Sequence, residues 1–225
     1  MRKLCVLALV VAWCGCRQQE PASQAPARAS SAPPAAPAVA ADTRPEIACF
    51  GDSLTAGLGL EPGQSFPALL QRKLDGEGYR YRVVNFGVSG DTTQDGLARL
   101  PMVLAEKPVV VVLELGANDG LRGQPVTVTR DNLAQMIEAA RQSGAQVLLA
   151  GITLPPNYGP TYIRKFQAIY PELAAKYHIP LIPFLLAGVA GDGRLMQRDG
   201  LHPNAEGTVL VSHTVWESLK LLIKK

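Results

Sequence analysis

The sequence contains few cysteines, and their positions exclude a disulfide-stabilised domain. Of the four, Cys5, Cys14 and Cys16 lie in an N-terminal stretch typical of an export signal, and Cys49 stands alone in an apolar segment. One remaining cysteine cannot form an intramolecular disulfide. Because no histidine lies beside Cys49 in a recognisable motif, we interpret it as a small buried hydrophobic residue and not as a nucleophile.

The sequence also has little excess charge and few histidines. Its formal net charge is +3, and loss of Arg2 and Lys3 with the signal would lower it to +1, so no basic surface for nucleic acid is expected. Of the three histidines, His178 and His213 lie outside any motif with metal-ligand spacing, and we expect no metal site. With 47% apolar and 18% charged residues, the chain is typical of a globular protein with one sizeable core.

The N-terminus has the three parts of an export signal. Arg2 and Lys3 precede an apolar run over residues 4–13, and the small residue Gly15 precedes Cys16. The run is too short for a permanent transmembrane helix. We therefore predict a signal peptide over residues 1–15 and export to the bacterial periplasm, either free or as a membrane-anchored lipoprotein.

Cys16 is the predicted lipidation site. A small residue followed by cysteine resembles the end of the lipobox of bacterial lipoproteins, although Trp13 and Cys14 differ from the usual residues there. Plain secretion is the alternative. Residues 16–44 are rich in Ala, Pro and Ser, and such a composition cannot bury enough apolar surface to fold. We interpret them as an extended tether between the membrane and a folded domain over residues 45–225.

Within residues 45–225, short apolar runs alternate with longer segments of helical period. This alternation predicts an α/β fold, a three-layer α/β/α sandwich around a mainly parallel five-stranded sheet. Ligands of such sheets bind beyond the carboxyl ends of the strands. The predicted strands cover residues 46–50, 81–85, 109–115, 146–152 and 180–183, and the predicted helices cover residues 66–77, 93–106, 127–143, 162–177 and 205–225.

The first strand is followed by a turn, residues 51–57, that would place the hydroxyl of Ser53 at the edge of the sheet. Thr55 stands where the Gly-x-Ser-x-Gly elbow of α/β-hydrolases has its second glycine. The turn also lacks the Gly-Lys-Ser/Thr ending of a phosphate-binding loop. The position of Ser53 suits a nucleophile, and a phosphate-cradling loop of a flavodoxin-like fold is the alternative.

Two further strand ends carry groups that could stabilise negative charge. A glycine-rich turn leaves the amide of Gly90 free to face the crevice, although the same turn could simply cap a helix with Asp91 or Thr92. Asn118 follows the central strand, and its uncharged amide can donate two hydrogen bonds to a developing oxyanion. An asparagine between glycines is also a common turn former.

Asp199 and His202 precede the last predicted helix. A carboxylate three residues before an imidazole can accept a hydrogen bond from one ring nitrogen while the other faces a nucleophile. Together with Ser53, these residues would form a catalytic triad of nucleophile, base and orienting carboxylate.

The four segments together resemble the SGNH hydrolases of the GDSL esterase superfamily. Within that superfamily they are most similar to the bacterial periplasmic branch of thioesterases, lysophospholipases and arylesterases. The resemblance covers residues 46–222. It is carried by Gly-Asp-Ser-Leu at 51–54, Ser-Gly-Asp-Thr at 89–92, Gly-Leu-Ala-Arg-Leu-Pro at 96–101, Glu-Leu-Gly-Ala-Asn-Asp-Gly-Leu-Arg-Gly at 114–123, Leu-Pro-Pro-Asn-Tyr-Gly at 154–159 and Asp-Gly-Leu-His-Pro-Asn at 199–204.

The resemblance implies a serine ester hydrolase. Ser53 would be the nucleophile, His202 the base and Asp199 the residue that orients the base. The amides of Ser53 and Gly90 and the side chain of Asn118 would form the oxyanion hole. No metal or organic cofactor is implied.

The resemblance also implies a small acyl or aryl ester as substrate, possible activity on thioesters and lysophospholipids, and a monomer. Two alternatives stay open at this stage, a carbohydrate deacetylase on the same scaffold and a non-catalytic, flavodoxin-like binding lipoprotein. The residues expected to contact substrate are Asp119, Gly120, Leu121, Pro155, Pro156 and Tyr158.

Overall fold

A computed structural model describes residues 42–225. The predicted signal peptide, the predicted lipidation site Cys16 and the predicted tether up to residue 41 lie outside the described residues. Among the described residues, no helix is both long enough and apolar enough to cross a bilayer.

Five strands form one parallel sheet in the order β2-β1-β3-β4-β5. Every residue of β1 and β3 is buried, as expected for central strands covered on both faces. The strands are β1 (Glu46–Gly51), β2 (Arg82–Gly87), β3 (Val110–Glu114), β4 (Gln146–Ala150) and β5 (Leu181–Ile182).

Seven α-helices connect and flank the strands of this part of the chain. They are α1 (Ser53–Ala56), α2 (Phe66–Glu77), α3 (Thr93–Ala105), α4 (Ala117–Leu121), α5 (Val126–Gln142), α6 (Pro160–Tyr177) and α7 (Ala205–Leu219), and a 3₁₀ turn covers Pro156–Tyr158.

The strand order divides the long helices between the two faces of the sheet. The chain moves outward from β1 to β2 and then returns past β1 to β3, so right-handed crossovers place α2 on one face and α3 on the other. In agreement, α2 packs against α7, while α3 packs against α5 and α5 against α6. The predicted three-layer α/β/α sandwich is confirmed.

The reversal of strand order between β1 and β3 positions the functional site. In doubly wound sheets the crevice at such a reversal, beyond the carboxyl ends of the two strands, is where ligands bind. The short helices α1 and α4 begin directly after β1 and β3. The segments carrying Ser53 and Asn118 therefore face the same crevice.

The predicted elements match the observed ones to within one or two residues at most ends, with three differences. Residues 51–57 contain a helical turn, α1, and α4 was also not predicted. The last helix ends at Leu219 and does not continue to residue 225.

Helix α3 begins with a reciprocal capping box, in which Thr92 accepts from the amide of Asp95 and the Asp95 carboxylate accepts from the amide of Thr92. The structure thus selects Thr92 over Asp91 as the cap.

Candidate active site

The turn after β1 places Ser53 at the first position of α1. The side chain of Asp52 caps this helix by accepting a hydrogen bond from the amide of Leu54 at 3.0 Å. A side chain at Gly51 would collide with the Thr55 hydroxyl and the Glu114 carboxylate, so the close approach of these elements requires glycine. Ser53 is held at the crevice, 9% exposed.

Ser53, His202 and Asp199 form a continuous hydrogen-bonded chain. The Oγ atom of Ser53 lies 2.8 Å from Nε2 of His202, although 149 positions separate the two residues in sequence. The other ring nitrogen of His202, Nδ1, lies 2.7 Å from Oδ2 of Asp199. The structure therefore brings together the three residues that the sequence predicts as a triad, with the ring between the hydroxyl and the carboxylate.

The carboxylate of Asp199 is fixed by its own turn and stays ionised. Its second oxygen, Oδ1, accepts hydrogen bonds from the backbone amides of Leu201 at 2.9 Å and His202 at 3.0 Å. Burial acts to raise the pKa of Asp199, but the backbone hydrogen bonds and the contact with the His202 ring outweigh it and lower the pKa to about 2. A charged acceptor for the imidazole N–H is thus present throughout the neutral range.

The three predicted oxyanion-hole residues, Ser53, Gly90 and Asn118, line one cavity together with His202. Neither the amide of Ser53 nor that of Gly90 donates a hydrogen bond to another group within residues 42–225. Nδ2 of Asn118 donates two hydrogen bonds, one to the backbone carbonyl of Asp91 at 2.9 Å and a longer one to Oδ2 of Asp52 at 3.2 Å. Two free amides and one anchored side-chain amide therefore border the nucleophile.

Sequence reasoning missed a buried pair of carboxyl groups behind the nucleophile. Oε2 of Glu114, at the end of β3, accepts from the amide of Asp52 at 3.2 Å and from the hydroxyl of Thr55 at 2.8 Å. Burial raises the pKa of Asp52 to about 6, and burial together with the neighbouring Asp52 charge raises the pKa of Glu114 well above its usual value. Both shifts favour the neutral carboxyl over the carboxylate, most strongly at Glu114. The only sequence signal was a glutamate ending an apolar strand.

The cavity beside Ser53 has a volume of about 280 Å³ and a mostly apolar wall. Such a wall suits an uncharged organic group better than a charged one. Six leucines contribute to it, Leu54, Leu58, Leu121, Leu154, Leu186 and Leu201, together with Ile152 and Pro155.

Two of the six predicted substrate-binding residues, Leu121 and Pro155, line this cavity, and four do not. Asp119 is fully buried, and its carboxylate accepts from the amide of Thr93 at 2.8 Å. The structure therefore does not bring Asp119 to the cavity, because its carboxylate joins α4 to α3.

The other three residues also lie outside the cavity, and two of them, Gly120 and Tyr158, contact residues of its wall. Gly120 is buried in close contact with Leu154, where any side chain would collide. Pro156 and Tyr158 lie outside the cavity, and the Tyr158 hydroxyl donates to the carbonyl of Leu121 at 2.8 Å. Tyr158 thus holds a wall residue in place and does not face the cavity itself.

Within residues 42–225, no group of three or more His, Cys, Asp or Glu side chains is arranged to hold a metal ion. His178 ends α6 in the left-handed conformation, and His213 lies within α7.

Comparison with known proteins gives consistent matches. The model of the GDSL-like Lipase/Acylhydrolase family matches residues 49–210. Esterase TesA of Pseudomonas aeruginosa is 52% identical over 174 residues, which cover 77% of this chain and 87% of that protein. The arylesterase of Vibrio mimicus is 43% identical, with 77% of this chain and 88% of that protein covered. Thioesterase 1/protease 1/lysophospholipase L1 of Escherichia coli is 41% identical, with 83% and 87% covered.

The fold is matched as well as the sequence. A crystal structure of TesA superposes with a TM-score of 0.77 at 51% identity, covering 79% of this chain and 99% of that one.

Proposed function

The chain belongs to the GDSL-like lipase/acylhydrolase family and is a carboxylic ester hydrolase, and on this premise we propose that it acts through a covalent acyl-enzyme on Ser53. One observation carries the proposal. The Ser53 hydroxyl lies 2.8 Å from Nε2 of His202 while Nδ1 of the same ring lies 2.7 Å from Asp199. This is the arrangement by which a neutral imidazole activates a hydroxyl.

In the first half of the reaction, Nε2 of His202 takes the proton from Ser53 as the serine oxygen bonds to the ester carbonyl carbon. The carbonyl oxygen becomes negative and accepts hydrogen bonds from the amides of Ser53 and Gly90. It also accepts one from Nδ2 of Asn118, which exchanges its longer bond to Asp52 for the bond to this oxygen. The tetrahedral intermediate collapses, the bond to the leaving oxygen breaks, and His202 returns its proton to that oxygen. Asp199 stabilises the imidazolium formed on the way.

In the second half, water takes the place of the alcohol. His202 removes a proton from the water as its oxygen attacks the acyl-serine. Collapse of the second intermediate releases the carboxylic acid and returns the proton to Ser53. Besides the substrate and water, these steps use only side chains and backbone amides of this chain.

The apolar cavity supports an uncharged acyl or aryl group as the part of the substrate that is held. Its volume of about 280 Å³ and its leucine-rich wall favour short to medium acyl chains. Thioesters and lysophospholipids are further candidate substrates, because a relative at 41% identity is named for both activities. A carbohydrate deacetylase is less well supported, because sugar hydroxyls would meet few polar partners in such a wall.

We also propose that the enzyme is exported, is anchored through Cys16 and acts as a monomer. The basic start, apolar run and Gly15–Cys16 ending of the N-terminus support export. A monomer is supported by a triad whose members all come from one chain. Loss of the protein from the membrane fraction in a Cys16→Ala variant would support the anchor, and an unchanged distribution would refute it.

The test of the catalytic proposal is hydrolysis of p-nitrophenyl butyrate by a Ser53→Ala variant. We expect turnover to fall by several orders of magnitude, because the nucleophilic oxygen is gone. Ser143→Ala is the matched control, since this hydroxyl only donates to the Ala140 carbonyl near the end of α5. Turnover at the wild-type rate in Ser53→Ala would refute the assignment and would favour a different nucleophile.

A further inference from the structure

Arg99 lies on α3, and its guanidinium connects three different parts of the active-site edge. Its side chain is 18% exposed. Nε donates to the Asp91 carboxylate at 2.5 Å, one terminal nitrogen donates to the carbonyl of Phe86 at 2.7 Å, and the other donates to the carbonyl of Gly51 at 2.8 Å. A single side chain thus bonds to the end of β1, to the end of β2 and to the loop before α3.

Two of these three contacts, those with Gly51 and Asp91, lie close to proposed oxyanion-hole donors. Gly51 lies two residues before Ser53, at the start of the turn that presents the Ser53 amide. Asp91 follows Gly90 directly, so fixing its carboxylate fixes the loop that presents the Gly90 amide. The carbonyl of Asp91 also accepts the 2.9 Å hydrogen bond from Nδ2 of Asn118. The positions of all three donors therefore depend on Gly51 and Asp91, the residues to which Arg99 is hydrogen-bonded.

We propose that Arg99 is the positioning residue of the oxyanion hole, which it assembles by tying the β1 turn, the Gly90 loop and, through Asp91, the Asn118 side chain into one geometry. The inference rests on the proposed function, since it assumes those three donors. Arg99 does not line the substrate cavity. Its effect on the reaction is therefore indirect.

The contacts require the planar fork of arginine. Three acceptors in three directions are satisfied from three different nitrogens, whereas the single ammonium of lysine cannot occupy all three sites. The guanidinium also lies over the ring of Phe50, 4.3 Å from its centroid, which fixes the plane of the fork. A positive charge alone at position 99 is therefore insufficient for this role, because the role depends on making all three hydrogen bonds at once.

The experiment compares Arg99→Lys and Arg99→Met with the wild-type enzyme in p-nitrophenyl butyrate hydrolysis. A displacement of about 1 Å at the reacting atoms can cost roughly a hundredfold in rate. We expect kcat to fall about a hundredfold in Arg99→Met and at least about tenfold in Arg99→Lys, with KM changed less than about threefold because the cavity is untouched. A folded Arg99→Lys enzyme with kcat within about threefold of wild type would overturn the proposal.

Arg82→Met is the matched control. Arg82 also pairs with a carboxylate at 2.5 Å, that of Glu46, but at the opposite end of the sheet. We expect its loss to lower the melting temperature without a comparable loss of kcat. An equal fall in kcat in both arginine variants would show a general structural effect and would refute the specific role. If Arg99→Met does not fold, Arg99→Lys alone decides, since it retains the charge and most of the packing.

A double-mutant cycle with Asn118→Ala gives a second readout. If Arg99 acts by placing the oxyanion donors, the two losses overlap, and the double variant is faster than the product of the single effects predicts. Full multiplication of the two effects would contradict the proposal. Failure of the proposed function would look different, because the wild-type activity would then survive in Ser53→Ala.

Discussion

Asn118→Ala is the substitution whose effect can be worked out most fully from the structure. The side chain of Asn118 is the one oxyanion donor that mutation can remove, since the amides of Ser53 and Gly90 belong to the backbone. Loss of one such donor costs about 2.7 to 4 kcal/mol of transition-state stabilisation, which is roughly a hundred- to a thousandfold in kcat. The substrate ground state gains little from this donor, so KM should change much less.

The same substitution also has a structural cost that must be separated from the catalytic one. Nδ2 of Asn118 donates to the carbonyl of Asp91 at 2.9 Å and to the carboxylate of Asp52 at 3.2 Å. Leaving buried acceptors unpaired costs about 1 to 3 kcal/mol of stability. We therefore expect a lower melting temperature as well as a lower kcat, and the kinetics must be measured well below the unfolding transition.

Asn132→Ala is the matched control for this prediction. Asn132 is buried, and its side-chain amide likewise donates to a neighbouring oxygen, the hydroxyl of Thr93 at 3.1 Å, away from the cavity. The Asn132→Ala variant should be less stable than the wild-type protein, while its kcat stays within about threefold of the wild-type value. The assay is kcat and KM for p-nitrophenyl butyrate, with thermal denaturation of each variant. A folded Asn118→Ala enzyme with kcat near that of wild type would refute the assignment of Asn118 to the oxyanion hole.

Three further predictions concern the base, the buried carboxyls and the cavity. Asp199→Asn should lower kcat by roughly 10³- to 10⁴-fold without unfolding the protein, because the ring loses its charged acceptor, and a loss below about tenfold would exclude Asp199 as the orienting residue. The raised pKa of Asp52, about 6 against an ordinary 3.8, contributes stability that is present below the ordinary value and is lost as pH rises through about 6. The melting temperature of Asp52→Asn relative to wild type should therefore rise as the pH is raised through that range, and a constant difference would contradict the shift. Leu121→Trp should reduce kcat/KM for p-nitrophenyl octanoate more than for the acetate, because the larger side chain fills the cavity, and equal reductions would place the acyl chain elsewhere.

Much of the fold was predictable because its signals are local and long enough to be periodic. The apolar run that forms β3 and the amphipathic stretch that forms α2 each repeat one pattern over several residues. Helices α1 and α4 were missed because four or five residues do not complete enough turns to show a period. Both start at the crevice, where the chain turns sharply to expose a functional side chain.

The candidate site was predictable in its chemical groups but not in its supporting contacts. Ser53, Asp199 and His202 are reactive types in recognisable motifs, and the structure brings them into one hydrogen-bonded chain. The roles of Glu114 and Arg99 depend on which side of a strand or helix faces which loop, and sequence spacing does not contain that information. Asp119 is the reverse case, a polar residue that the sequence placed at the substrate and the structure does not. Its neighbour Asn118 lines the cavity, whereas Asp119 is buried in the interior.

The most direct test of the central claim is to locate the adduct formed with a fluorophosphonate probe by mass spectrometry of proteolytic peptides. A fluorophosphonate forms a covalent bond, with loss of fluoride, to a nucleophile such as a serine hydroxyl that a neighbouring base activates. The account predicts one adduct, on the peptide containing Ser53, and none in the Ser53→Ala variant. An adduct on another residue, or equal labelling of both proteins, would contradict it.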